Sequence, residues 1–100
     1  MHRENDHRRL PSLDAARQLG LDALLFLAQE PARIGVFLNA SGIAPERLRA
    51  AAGEDGTLAA VLDHLVADES LLLVFAANGG HRPDDLWPAL ERLRREGDLG

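Results

Sequence analysis

The sequence predicts an all-α fold, a compact orthogonal bundle of five to six short helices. Leucine and alanine dominate the 100 residues, aromatic residues make up only 4%, and tyrosine is absent, a composition that favours helix over sheet. Apolar residues recur at spacings of three and four, as on the buried face of a helix. A chain of this length forms one domain, which we expect over residues 13–97, after a flexible N-terminal tail at residues 1–12.

Helix signals in the first half of the chain place three helices. Ser12 is a suitable N-cap for a helix over 13–29. A proline opens a second helix over 31–41, and Gly42 follows it where a left-handed C-cap is expected. Another proline opens a short third helix over 45–52. The apolar spacing of the first helix predicts a buried stripe formed by Ala16, Leu21, Leu24, Leu25 and Ala28.

The next two helices lie on either side of Asp68. The fourth begins after a glycine-containing turn with Thr57 as its N-cap, and Asp68 is the N-cap of the fifth. The fifth is apolar on every side over 71–77, which is typical of a helix surrounded by others, so we expect it to be central. A run of seven apolar residues also suits a buried strand, but no partner strand is visible elsewhere. Gly79 and Gly80 end the helix.

Pro83 starts the last helical region, which we expect to end near Glu96. A proline in a helix interior costs about 3 kcal/mol, so Pro88 limits where the helix proper can begin. A start at an Asp85 cap leaves Pro88 in the first turn, where proline is tolerated. A helix kinked at Pro88 is the alternative, and we favour the shifted start.

The pattern of the chain repeats once, with a period of about 38 residues. The repeat includes a Val-Phe pair, a glycine five residues after the phenylalanine, and a proline followed by an acid. Two copies, at about 13–52 and about 57–96, would form two three-helix units packed about a pseudo-two-fold axis. The matched pairs, each one period apart, are Leu24/Leu62, Leu27/Leu65, Val36/Val74, Phe37/Phe75, Gly42/Gly80, Pro45/Pro83, Leu48/Leu86 and Ala51/Ala89.

Composition excludes several classes of function. The chain has no cysteine, so disulfides, thiolate metal sites and cysteine nucleophiles are ruled out. Its net charge is −5 and its eleven arginines are scattered among acids, which argues against a general nucleic-acid or anionic-membrane binder. No apolar run reaches the roughly 18 residues of a membrane span. We therefore expect a cytoplasmic protein.

The histidines suggest no convincing catalytic, cofactor or metal site. His64 and Asp68 are four residues apart, but a helix break at Asp68 would separate them, and two ligands are too few for a closed metal site. His2 and His7 fall in the tail, and His81 follows a glycine turn, where we expect it to be solvated. No polar groups are expected to converge in a pocket, and no small-molecule substrate is evident. We expect no cofactor and no enzymatic activity.

Two other interpretations concern the end of the chain. Residues 75–95 offer a helix, a glycine turn and a second helix that ends in arginines, which resembles a helix-turn-helix. The second helix begins with acidic and apolar residues that phosphates would repel. Trp87 is either core filler, which we favour, or an exposed anchor for a partner.

The favoured function is therefore a non-enzymatic interaction or adaptor module that contacts an unknown protein, or itself, through a helical face. The candidate contact residues are Trp87, Arg92 and Arg95. A DNA-associated regulator that uses residues 75–95 is the alternative.

Six short stretches between residues 24 and 86 form a recognisable set: FLAQEP at 26–31, FL at 37–38, GIAP at 42–45, LRAA at 48–51, AVLD at 60–63 and ADESLL at 67–72. Through these stretches the segment resembles the DUF3572 family, small proteins found mainly in alphaproteobacteria. The resemblance implies a helical fold and no established activity. The chain departs from the family at Trp87 and Pro88, where an uninterrupted helix is usual, and at His64, where a larger apolar residue is usual.

Overall fold

The computed structural model describes residues 10–99, with side chains over residues 10–96. Two 3-10 turns, Pro45–Arg47 and Pro83–Asp85, lead into the third and sixth helices. The described residues include no strand, so the predicted all-α fold is confirmed. Residues 1–9 of the predicted tail, including His2 and His7, lie outside the described part. The helices are α1 (Leu13–Ala28), α2 (Pro31–Ser41), α3 (Leu48–Ala51), α4 (Asp55–Val66), α5 (Glu69–Gly79) and α6 (Leu86–Leu99).

Four predicted helix ends are confirmed by their caps. Ser12 Oγ and Asp68 Oδ1 each accept a hydrogen bond from the amide three residues on, at 3.0 and 3.2 Å. Gly42 and Gly80 follow α2 and α5 with φ of 78° and 70°. This left-handed backbone favours glycine, because a Cβ is strained there. The local signals of the sequence were sufficient at these four positions.

Pro88 lies in the first turn of α6, as predicted, because the helix begins at Leu86. The helix continues to Leu99 instead of ending near Glu96. A glycine such as Gly97 costs a helix only about 1 kcal/mol, so it does not have to end one.

The start of α4 differs from the prediction. Thr57 does not cap the helix; it is buried in the first turn of a helix that begins at Asp55. Arg17 explains the earlier start, since its Nε and Nη2 donate to the two carboxylate oxygens of Asp55 at 2.7 and 2.9 Å. The guanidinium thus fixes the acid at the helix N-terminus, where a negative charge is favourable. A contact between distant residues therefore overrides the local turn signal.

The centre of the molecule is formed by α1, α4 and α6, whose mutual contacts are the most extensive in the fold. Burial of a leucine stabilises a fold by about 1.5–3 kcal/mol, so these helices supply most of the hydrophobic stabilisation. Phe37 adds the main buried side chain of α2. The largest fully buried side chains of the centre are Leu27 from α1, Val61, Leu62 and Leu65 from α4, and Leu86, Leu90 and Leu93 from α6.

The prediction that the fifth helix is central is wrong. Of the eleven residues of α5, Phe75 and Ala76 are the buried ones, while Leu73 and Val74 are 50% and 42% exposed. The helix packs on α4 and, less extensively, on α1 and the second 3-10 turn. Apolar residues on every side predict burial on every side only when neighbours exist for each face. Here α1, α4 and α6 already fill the centre.

The predicted buried stripe of α1 is also partly wrong. Ala16 and Leu24 are buried, but Leu25 is 63% exposed and Ala28 is exposed. Leucines occupy adjacent faces of α1, so spacing alone could not choose between them. The orientation is set by close packing of the helix against α4 and α6. The buried side chains of α1 are Ala16, Leu19, Ala23, Leu24, Phe26 and Leu27.

The period of the sequence recurs in the element boundaries. α2 and α5 have the same length and begin one period apart, at Pro31 and Glu69. The two 3-10 turns also begin one period apart, and each leads directly into the next α-helix. The two left-handed glycines, Gly42 and Gly80, show the same offset.

The contacts between the halves follow the same offset. Arg17 binds Asp55, and a Cβ on Gly20 would lie 2.9 Å from Leu58 Cβ. In each of these two contacts, the partners are separated in sequence by one period of the repeat. Phe37 packs against His64 and Phe75 against Phe26, each with ring centroids 5.4 Å apart, and these two contacts are counterparts of each other. Reciprocal contacts are what a two-fold arrangement produces. The duplication and its pseudo-two-fold axis stay predictions.

Candidate functional site

Trp87 is 57% exposed, so the favoured prediction that it fills the core is wrong. The buried positions of α6 are Leu86, Ala89, Leu90 and Leu93, which follow the spacing of one helix face. Trp87 falls outside that face. Its ring is therefore available to a partner, as the alternative interpretation expected.

The three candidate contact residues do not form one patch. Arg92 lies about 140° around α6 from Trp87, given 3.6 residues per turn. Its Nε is 3.1 Å from Glu96 Oε2 and its Nη1 donates to the carbonyl of Pro11 at 3.4 Å. Arg95 is more exposed, with its Nε 3.8 Å from Glu91 Oε2. Arg92 thus ties α6 to the segment before α1, and its role as a partner contact stays a prediction.

His64 and Asp68 lie on opposite sides of the break between α4 and α5, as expected. His64 is half-buried and meets the ring of Phe37 edge-on, with an interplanar angle of 71°. Over the described residues, no three side chains of the His, Asp or Glu type come together as a metal site would require. The contact that the structure shows for His64 is thus its packing against Phe37.

A cleft of about 720 Å³ lies between α1, the turn after α5 and the start of α6. We call it the α1–α6 cleft. Its polar side chains begin with Gln18, whose Nε2 donates to Asp22 Oδ1 at 2.9 Å. His81 Nε2 lies 3.5 Å from Asp22 Oδ2, so the carboxylate lies between the amide of Gln18 and the imidazole of His81. The expectation that polar groups do not converge in a pocket is wrong here.

The prediction that His81 is solvated is wrong, since its side chain is only 26% exposed. Its ring stacks on Phe75 with centroids 4.9 Å apart and an interplanar angle of 19°. Two glycines allow this position. Gly80 turns the chain back with its positive φ, and a Cβ on Gly79 would lie 2.7 Å from His81 Cδ2. The imidazole is therefore held against α1 rather than projecting from the turn.

The rest of the α1–α6 cleft combines apolar and charged groups. Leu19 and Pro88 are among its apolar lining, and Arg82, Asp84 and Asp85 lie along it. Among the described residues of the lining there is no serine or threonine. The arrangement offers a ligand apolar contacts, carboxylate acceptors and an imidazole.

Sequence reasoning missed this cleft because its parts are far apart in the chain. Gln18 and Asp22 show the spacing of neighbours on a helix, but nothing local links them to His81. Tertiary packing of α5 on α1 makes that link.

A second surface feature is the exposed side of α5. We define the α5 face as Ser70, Leu73, Val74 and Ala77, which share one side of the helix at spacings of three and four. All four are exposed, and none carries a charge. Val36, 59% exposed on α2, occupies the position one period before Val74. This face is apolar in a helix whose opposite side already packs on the core.

No helix in the described part of the chain combines the length and apolarity that crossing a bilayer requires. No curated protein and no solved structure matches the chain. A family described as "Protein of unknown function (DUF3572)" matches residues 13–96, nearly the whole of the described chain. The chain belongs to the DUF3572 family.

Proposed function

We propose that this protein is a non-enzymatic interaction or adaptor module that contacts another protein, or a second copy of itself, through the α5 face. The observation that supports the proposal is the exposure of Leu73 and Val74, side by side on one helix. Adjacent exposed side chains of this size mark an interaction surface more often than scattered single ones do.

The chemistry of the α5 face favours docking against an apolar surface. Leu73 and Val74 would lose water on binding, and small neighbours at Ser70 and Ala77 would let another helix approach closely. Removal of apolar surface from water is favourable by roughly 25 cal/mol per Å². No charge on this face would have to be desolvated. The proposal includes no catalytic step and no cofactor, and it places the protein in the cytoplasm.

Trp87 can extend the contact region as a separate aromatic anchor on α6. Tryptophan and arginine are common at the centre of protein interfaces. Leu25 is the matched control position for substitutions of Trp87, since both side chains are more than half exposed but lie on different helices.

The test is a comparison of two variants of the full chain. Leu73→Ser/Val74→Ser removes the apolar groups of the α5 face, and Leu25→Ser removes an exposed leucine elsewhere as the matched control. Sedimentation velocity over a wide concentration range measures self-association. If copies associate through the α5 face, the double variant is monomeric while the control associates like the wild type.

A photo-crosslinking residue at position 73 tests for a different protein partner in cells. We expect a crosslink to one identified protein that is absent when the same residue replaces Leu25. A monomer that gives no crosslink specific to position 73 would contradict the proposal, whatever other proteins are captured.

The alternative, a DNA-associated regulator that uses residues 75–95, has less support. Arg94 Nη2 lies 3.0 Å from Asp63 Oδ1, and Arg92 and Arg95 have acidic neighbours on α6. Arginines beside carboxylates are weaker phosphate ligands than unpaired ones. Duplex binding at low salt that weakens steeply as salt is added, and that is lost in Arg94→Gln, would favour this alternative.

A further inference from the structure

We propose that the α1–α6 cleft binds a small organic cation, a ligand that carries an ammonium or guanidinium group on a short apolar chain. The inference is independent of the α5 face, which lies on another element. It rests on the shape of the cleft, on a difference between the two halves of the chain, and on the charges of the lining.

The size and lining of the cleft suit a small molecule. Its volume of about 720 Å³ lies within the range of roughly 300–1,000 Å³ that ligand pockets occupy. Leu19 and Pro88 supply apolar contact for an alkyl chain, while the carboxylate of Asp22 lies between Gln18 and His81. The lining thus places apolar contacts beside polar and charged groups that can orient a ligand.

The other half of the chain shows that the fold does not need these polar groups. The positions one period away from Gln18, Asp22 and His81 are Gly56, Ala60 and Ile43. Ala60 and Ile43 are partly buried and pack against the hydrophobic core. These elements therefore accept apolar residues where the α1–α6 cleft has an acid and an imidazole. Ligand binding accounts for the acid at position 22, while the imidazole of His81 also packs on Phe75.

The charges of the lining select a cation. Asp22, Asp84 and Asp85 contribute three negative charges and Arg82 one positive charge, so these four residues sum to −2. Each carboxylate oxygen can accept more than one hydrogen bond, so Asp22 keeps acceptor capacity beyond the hydrogen bond from Gln18 and the contact with His81. An ammonium or guanidinium donates to several acceptors at once. An anionic ligand would be repelled.

Agmatine, which carries both cationic groups on a four-carbon chain, is the probe, and butanoate is the anionic control. Titration of the full chain followed by amide chemical shifts measures binding and locates it. We expect agmatine to shift the amides of Asp22, His81 and Asp85, and butanoate to leave them unchanged. Absence of agmatine binding at low salt, or equal binding of butanoate, would overturn the proposal.

Two carboxylate variants test the assignment of the site. Asp22→Asn should weaken agmatine binding at least about tenfold, since it removes a charged hydrogen-bond acceptor. Asp63→Asn is the matched control, because Asp63 is an exposed acid of α4 outside the cleft lining. Equal weakening in both variants would show a general charge effect and refute the site. Leu73→Ser/Val74→Ser should bind agmatine like the wild type, so this test stands apart from that of the α5 face.

The double variant Asp22→Ala/His81→Ile installs the residues of the other half. We expect it to lose agmatine binding and to keep a Tm within about 5 °C of the wild type, because a contact between two partly exposed polar side chains adds little stability. A much larger fall in Tm would show that the polar set is structural and would contradict the inference.

A free amine and the side chain of an arginine within a peptide share this chemistry. A comparison of agmatine with N-acetyl-arginine methylamide separates the two sources. Tighter binding of agmatine identifies a free diamine-like metabolite, and tighter binding of the blocked arginine identifies a peptide side chain.

Discussion

At the scale of single residues, two glycines inside helices have opposite environments. A Cβ on Gly20 would lie 2.9 Å from Leu58 Cβ, a distance that side chains essentially never adopt. A Cβ on Gly35 would meet nothing within 4 Å. Gly20 therefore allows α1 and α4 to approach closely, whereas Gly35 has no packing role.

Alanine at these two positions should have opposite effects on the free energy of unfolding. Gly35→Ala should raise it by up to about 1 kcal/mol, because alanine is the better helix former. Gly20→Ala should lower it by about 1–3 kcal/mol, since the added methyl overpacks the α1–α4 contact. Urea denaturation of both variants provides the measurement. Stabilisation by Gly20→Ala would show that the two helices are not in such close contact.

The ion pair between Arg17 and Asp55 should make stability depend on acidic pH. The hydrogen bonds from Arg17 hold the pKa of Asp55 below its ordinary value of 3.8. A carboxyl with a depressed pKa stabilises the fold above its unfolded pKa, and this contribution disappears as pH falls through the folded pKa. The affected window therefore lies at and below about pH 3.8.

Asp55→Asn tests this dependence. Its free energy of unfolding should be lower than that of the wild type at pH 7, and the two should converge as the pH drops below the ordinary pKa. Glu69→Gln is a suitable control, because Glu69 is also in the first turn of a helix but is not among the acids that act on Arg17. A difference that stays constant with pH would mean that Asp55 acts through its shape and not its charge.

At the scale of elements, local signals and tertiary neighbours account for different parts of the structure. The caps at Ser12, Asp68, Gly42 and Gly80 depend on a few adjacent residues, so the sequence could predict them. The position of α5 depends on which helices surround it, and the apolar pattern holds no information about that. The exposure of Trp87 has the same cause, since Leu86, Leu90 and Leu93 occupy the buried face of α6.

Equal substitutions on two helices should reveal which one is central. Leu65→Ala in α4 removes a fully buried side chain and should cost about 2–5 kcal/mol of unfolding free energy. Leu73→Ala in α5 removes a half-exposed one and should cost less than about 1 kcal/mol. Thermal and urea unfolding would measure both. Similar losses would contradict the peripheral position of α5.

At the scale of the whole molecule, the sequence predicted the helical fold but not the α1–α6 cleft. The cleft needs α1, the turn after α5 and the start of α6 to meet, and no pattern along the chain encodes that meeting. One signal was present in the repeat. Asp22 and His81 interrupt a correspondence in which the matching positions are Ala60 and Ile43. Polar residues at positions where the other half of the repeat has apolar ones were therefore the sequence signal for this cleft.

The contact between α1 and α4 has a consequence for how the halves can assemble. Two identical segments placed about a two-fold axis would bring a residue onto itself, arginine facing arginine or leucine facing leucine. This chain instead sets Arg17 against Asp55 and Gly20 against Leu58, so one side of each pair complements the other. Neither half could replace its neighbour there without repulsion between like charges or a steric clash. A single polypeptide can place unlike residues opposite each other in this way, whereas a two-fold homodimer of one half would place identical residues opposite each other.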